Sequence, residues 1–204
     1  MARDQQITIK KQIMKRLLTL AVLFLCCAAT SFAQFSGSGS GTESDPYLIL
    51  NPIQLNQLRN YLNKEGVYFK MMADIDLTEF IEDESPTQGW QPIGNSSSSA
   101  FKGILDGNGK IISGLWIKRA SSDNVGLFGW TTKATIKNLK VEASIVEGKS
   151  NVGGITGHSD NSTISAVSFE GSIKGESLTG GIVGGAGDRM TLVDNSVVVE
   201  IVAT

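Results

Sequence analysis

The residues of this chain that could do chemistry are few, and their spacing decides what each could do. Asp74 and Asp76, or the run Glu82-Asp83-Glu84, offer the paired carboxylates that glycoside hydrolysis needs at separations of about 5–10 Å. In Asp74-Ile-Asp-Leu77, however, strand alternation sends Ile75 and Leu77 to a core and both aspartates to water. Glu82-Asp83-Glu84 lies in the polar stretch Glu79 to Gln88, which reads as a loop carrying a charge run. Asp106-Gly-Asn-Gly109 opens like a calcium loop, but the twelfth position, where such a loop needs Glu, is Ile117. A tight Asn-Gly turn explains it better, so calcium at Asp106 and Asn108 is disfavoured and no cofactor is expected. His158, the single histidine, has no Ser or Cys partner in a recognisable motif and reads as a surface residue. Trp90, Trp116 and Trp130 remain as candidate ligand-stacking residues. Trp116 stands out because Leu115 and Ile117, if they point inward, turn its indole outward. No residue is assigned a catalytic, cofactor-binding or metal-ligating role.

Composition narrows the field in the same direction. The 204 residues include 18 Lys and Arg against 20 Asp and Glu, a net charge of −2, with 41% hydrophobic residues. One globular or solenoid domain fits those figures, and a basic surplus for nucleic acid is missing. Two cysteines and one histidine leave multi-histidine zinc sites and hydrolase triads short of partners.

Lys10, Lys11, Lys15 and Arg16 precede the apolar run Leu17 to Ala29, and Ser31-Phe-Ala33 supplies small residues for cleavage. Residues 1–33 therefore read as a secretory signal peptide, too short in its apolar run to span a bilayer. Met14 offers a second possible start. Cys26 and Cys27 raise lipidation, but Leu23-Phe-Leu25 before them is bulky for a lipobox. Cleavage after Ala33 removes both cysteines with five of the basic residues and one acid, leaving a mature net charge of −6. The expected product is exported, to the exterior or outer surface of a bacterium, and does not span the membrane.

The mature chain should begin with a flexible Gly/Ser segment at 34–45, followed by an N-terminal cap at 46–80. Within the cap, Asn51-Pro52 reads as a helix start, and Leu55, Leu58 and Leu62 share one face of a helix over 52–65 that Gly66 stops. From 81 onward the sequence is β-branched and punctuated by glycine, with no further helix expected. Its central feature is a repeat. Asn124-Val-Gly-Leu-Phe-Gly129, Asn151-Val-Gly-Gly-Ile-Thr-Gly157 and Leu178-Thr-Gly-Gly-Ile-Val-Gly184 recur every 27 residues, as units 124–150, 151–177 and 178–204. Ile136 to Val141, Ile164 to Phe169 and Val193 to Val198 form a second matching block, and Phe101 to Ile117 looks like a degenerate preceding coil. A period near 27 residues with short strands and glycine turns suits an all-β, parallel β-solenoid, in which Leu139, Val141, Val167 and Phe169 face inward. Asn124 and Asn151, one rung apart, should stack their amides. The end at Val202-Ala-Thr204 offers an exposed edge to neighbouring repeats or another chain.

These residues resemble bacterial secreted proteins with GLUG repeats. Gly126-Leu-Phe-Gly129 carries the signature literally, and Gly154-Ile-Thr-Gly157 and Gly181-Ile-Val-Gly184 are conservative variants. Upstream, Gly41-Thr-Glu-Ser-Asp-Pro-Tyr-Leu-Ile49, Trp90-Gln-Pro-Ile-Gly94 and Phe101-Lys-Gly-Ile-Leu-Asp-Gly-Asn-Gly109 look like the usual entry into such repeats, so the resemblance covers about residues 41–204. It implies a right-handed parallel β-helix of an adhesin-like surface protein, with no chemistry general to the repeat. The His-Glu-x-x-His motif of the protease relatives is missing, so their activity does not carry over. The expected function is a secreted or cell-surface binding and adhesion module without catalysis, its partners glycans or host surface proteins and not nucleic acid. An accessory or truncated part of an extracellular carbohydrate-active enzyme, and a structural spacer, are the alternatives.

Overall fold

A computed structural model describes residues 35–202, with side chains to Glu200. The signal peptide, the two cysteines and the alternative start Met14 lie outside the described residues.

Beyond the N-terminal segment the chain winds into a parallel β-solenoid whose rungs are about 28 residues apart. β1 (Tyr47–Ile49), β2 (Tyr68–Met71), β4 (Ile104–Lys118), β6 (Thr135–Glu147) and β9 (Thr163–Lys174) pair in that order, all parallel, and β12 (Thr191–Val193) and β13 (Ser196–Val202) close the sheet on β9. The two-residue β3 (Ile75–Asp76) adds to β4. The second face is β5 (Phe128–Thr132), β8 (Thr156–Asp160) and β11 (Val183–Ala186), and the third is β7 (Ser150–Gly153) with β10 (Ser177–Gly180).

Each rung turns at three corners, and each corner holds a left-handed residue. Asn124, Asn151 and Leu178 form one file of positive φ (57°, 53°, 49°), and Lys133, Asn161 and Arg189 a second. Asn108, Asn138, Ala166 and Asp194 form the third. Asparagine tolerates this conformation better than other chiral residues, which explains its recurrence at the rung period. Between corners the strands alternate. Leu105, Ile136 and Ile164 stack in one buried file and Ile112, Val141 and Phe169 in another, so the expected inward residues Leu139, Val141, Val167 and Phe169 are all buried. Aromatic rings continue the core toward the N-terminal end, with Phe35 to Phe69, Phe69 to Phe101 and Phe101 to Phe128 at 5.9, 6.2 and 4.8 Å between centroids.

Three expectations need correction. The Gly/Ser segment is docked: Phe35 is buried among Tyr47, Tyr61 and Phe69, and Leu48 N–H donates to Ser38 O at 2.9 Å. Its glycines serve close approach, since a Cβ on Gly37 would stand 2.4 Å from Leu48 O. The helix drawn over 52–65 is an α-helix only at Pro52–Asn56, with Asn51 Oδ1 capping Gln54 N–H, and continues as a 3₁₀ turn over Gln57–Tyr61. The three-residue step from Leu55 to Leu58 suits that tighter winding, and both leucines are buried. Finally, Thr78–Glu84 is a helix where a polar loop was expected. One buried anchor, Ile81, pins it, so its helical signal is a single apolar residue among acids.

Asp106 ties two corners together. Its Oδ1 accepts from Asn108 N–H at 2.8 Å and from Asn138 Nδ2 at 3.0 Å, with Lys137 Nζ 3.7 Å from Oδ2. Partial burial pushes its pKa up, but the Asn138 and Asn108 hydrogen bonds and the Lys137 and Lys70 charges outweigh it, and the net shift is downward. A carboxyl with a folded pKa below its unfolded value of about 3.9 stabilises the fold at neutral pH, and the contribution fades as pH falls through that value toward the folded one. Asp106→Asn should therefore flatten the acid limb of a thermal stability curve. Parallel acid limbs for both proteins between about pH 5 and 2 would refute the assignment.

Candidate functional site

The three tryptophans have different fates. Trp90 is buried at 2% exposure, and its Nε1 donates to Leu127 O at 3.0 Å. It cannot serve as a stacking surface; a full-size indole beside the chain crossing to the first solenoid rung is core. The Arg59 guanidinium carbon lies 5.1 Å from its ring. Trp116 does point away from Leu115 and Ile117, which are fully buried, but it is half-covered because Gly89 lies against it. Trp116 O accepts from Trp90 N–H at 2.8 Å, and Lys118 Nζ stands 5.8 Å from the Trp116 ring.

Trp130 lies within β5, not at the rung corner where its place after Gly129 had suggested. The pairing of β5 with β8 sets Trp130 beside His158, and their rings stack at 3.9 Å between centroids with 28° between planes. Trp130 Nε1 donates to Thr132 Oγ1 at 3.1 Å, and Thr132 is paired with Asp160 one rung on. Outward positions on this face thus carry Trp130 and Thr132 in one rung and His158 and Asp160 in the next. In the third rung they carry Gly185 and Gly187, where a Cβ would stand 3.0 Å from His158 Nδ1 and 2.7 Å from Asp160 Oδ1. The strip is therefore two rings, a hydroxyl and a carboxylate beside a glycine floor. The inner side of the same strands is polar too, with Thr131 Oγ1 donating to Ser159 Oγ at 2.8 Å.

Burial lowers the His158 pKa, and the neighbouring Asp160 charge only partly opposes it. The imidazole is therefore neutral at pH 7 and stacks as an uncharged ring. His158 was set aside as a surface residue in the sequence. Its signal was the 28-residue step from Trp130, the offset of the strand blocks and not of the glycine blocks.

The acidic candidates are occupied structurally. Asp74 Oδ1 accepts from Ile111 N–H at 3.0 Å. Asp76 Oδ1 accepts from Thr78 Oγ1 at 2.7 Å and from Thr78 N–H at 2.9 Å, and those hydrogen bonds hold its pKa down. Glu82, Asp83 and Glu84 are exposed on the Thr78–Glu84 helix. Among the described residues, no three of His, Cys, Asp and Glu come together as a metal cluster, and no helix is long and apolar enough to cross a membrane.

No family model matches the chain. It is 35% identical over 162 residues to halomucin of Haloquadratum walsbyi, a match covering 79% of this chain and 2% of that protein. It is 34% identical over 161 residues to a protein assigned as a Gly-rich membrane protein in Evansella cellulosilytica, covering 71% of this chain and 18% of the relative. The chain thus spans a small fraction of the length of either. A solved structure assigned as an immunoglobulin A1 protease of Bacteroides ovatus aligns over 80% of the chain at 17% identity with a TM-score of 0.31.

Proposed function

We propose that this chain is a non-catalytic binding module of an extracellular or cell-surface protein, and that the Trp130 to Asp160 strip is its glycan-contacting face. The observation that carries the reading is the Trp130 and His158 stack beside a carboxylate on the outward side of a rigid parallel sheet. Sugar rings present C–H faces to aromatic rings and hydroxyls to carboxylates, so a flat strip of this composition matches a saccharide better than a metal or a nucleotide. Relatives named as a mucin and as a membrane protein, far longer than this chain, support a surface location and a modular role. The glycine blocks at 126–129, 154–157 and 181–184 favour the GLUG type of repeat, and the signal-like residues 1–33 favour export. The exposed side chains of Leu192, Val197 and Val198 on the last described strands suit a further parallel rung or a strand of another chain.

The test is a glycan array with the purified chain, followed by calorimetry on any hit. Trp130→Ala should weaken binding about tenfold, roughly 1.4 kcal/mol, while Trp116→Ala leaves it within about twofold. Turnover of any polymer by the purified chain would sink the non-catalytic reading. Equal affinity of Trp130→Ala and wild type would sink the site.

A further inference from the structure

Two arginines meet at the N-terminal end of the solenoid, and neither has an acidic partner. Arg59, on the 3₁₀ turn, donates through Nε to Asn56 Oδ1, through one terminal nitrogen to Pro92 O at 2.9 Å, and through the other to Gln91 O. Arg119, just past β4, donates to Trp90 O at 3.3 Å, Gln88 Oε1 at 2.8 Å and Gly89 O at 3.3 Å. Both guanidinium groups therefore grip the same short loop, 88–92, through neutral oxygens. Among the described residues no carboxylate lies within ion-pair distance of either.

That arrangement is electrostatically costly. Burial, and then the positive charge of Arg119, bring the Arg59 pKa down to about 10, and burial lowers Arg119 as well. Two half-buried like charges are normally offset by an anion. Here only neutral carbonyl and amide oxygens supply that offset, and each guanidinium keeps part of its donor fork unbonded.

Two clefts adjoin across this pair. One of about 380 Å³ runs along Asn56, Ser85 and Gln88, and the other, of about 500 Å³, along Asn95, Ser99 and Ser122, with Arg59, Gln91 and Arg119 lining both. The walls are rich in amides and hydroxyls. The carboxylates facing the clefts are Glu84 in the first and Asp123 in the second, both exposed.

We propose that this double cleft is a binding site for an acidic saccharide, with a uronate carboxylate or sulfate ester seated between the Arg59 and Arg119 guanidinium groups. The planar forks suit an oxyanion bound through two oxygens, and the amide and hydroxyl walls supply partners for sugar hydroxyls on either side. An acidic peptide meets the charge equally well but finds no deep apolar pocket for side chains, which makes the saccharide the better match. The site is separate from the Trp130 strip and stands whether or not that strip binds glycans.

The probe is a galacturonate trisaccharide titrated calorimetrically into the full chain, with its neutral methyl ester, a sulfated disaccharide and a tri-glutamate peptide run in parallel. The acid should bind saturably and weaken with added salt, and the ester should bind at least tenfold more weakly. Arg119→Gln should lose at least tenfold and Trp130→Ala nothing. Arg119→Lys, which keeps the charge and removes the fork, should lose several-fold, and it serves as the test if the Gln variant does not fold by circular dichroism. Tighter binding of the sulfated sugar supports the same site with sulfate as its anion. Equal binding of acid and ester, wild-type affinity in a folded Arg119 variant, or a preference for the glutamate peptide would each overturn the proposal.

Discussion

Gly154→Ala is expected to destabilise the fold by about 2–3 kcal/mol, and the same substitution should cost almost nothing in a Phe169→Ala background. A Cβ built on Gly154 stands 2.3, 2.4 and 2.5 Å from three atoms of the Phe169 ring, and no other atom is as near. The ring is buried, with Val141 on one side and Val197 on the other, so it cannot swing away without opening the rungs. Phe169→Ala by itself should cost about 3–5 kcal/mol through lost burial and the hole it leaves. In that hole a methyl on Gly154 has room and partly refills it, so the two losses should fall well short of adding. Urea denaturation of the four proteins measures the coupling. If Gly154→Ala costs the same with and without the ring, the ring is not what keeps position 154 a glycine. Gly157 supplies the contrast, because its Cβ would stand 2.3 Å from the Asn124 carbonyl carbon and 2.4 Å from Val125 N. Those are backbone atoms of the preceding rung, and no side-chain deletion relieves them. The two glycines of one Gly-x-x-Gly block thus do different jobs: one leaves space for a core ring, the other lets two rungs touch.

That difference shows which parts of the molecule were readable in advance. The rung period, the inward files and the parallel stacking were legible because a solenoid writes its geometry once per rung, and each repetition checks the last. The N-terminal cap has no repetition to check it. There the glycines of 37–41 signalled flexibility although Phe35 pins the segment, and Leu55, Leu58 and Leu62 fitted an α-helical face although the chain tightens after Asn56. The site divides on the same line. Asn124 and Asn151 were expected to stack, and Asn151 Nδ2 does donate to Asn124 Oδ1 at 2.9 Å. Trp90 was misjudged because its neighbours are aperiodic and gave no inward or outward phase. Arg59 and Arg119 lie 60 positions apart in unrelated elements, and only the path of residues 88–92 between them brings them to one place.

Leu178→Asn should raise stability by about 1–2 kcal/mol, a shift of a few degrees in melting temperature for a domain of this size. The asparagine file at this corner runs from Asn124 Nδ2 donating to Asn95 O at 3.1 Å, through Asn151 donating to Asn124. It stops there: Asn151 Oδ1 is buried with no hydrogen-bond partner, and the next residue in the file is Leu178. The pairing of Ser177 with Ser150 and Thr179 with Val152 sets residue 178 over Asn151, so an amide at 178 can reach Asn151 Oδ1 as Asn151 reaches Asn124. Leu178 also holds φ at 49°, a conformation costly to leucine, and its side chain is 61% exposed. One substitution thus satisfies a buried acceptor, eases the backbone and removes an exposed apolar group while sacrificing little burial. Leu178→Ala separates the terms, since it removes the exposed side chain without supplying the donor and should gain little. If Asn and Ala at 178 melt at the same temperature, the unpartnered oxygen of Asn151 costs the fold nothing, and the amide file ends at Asn151 without energetic consequence.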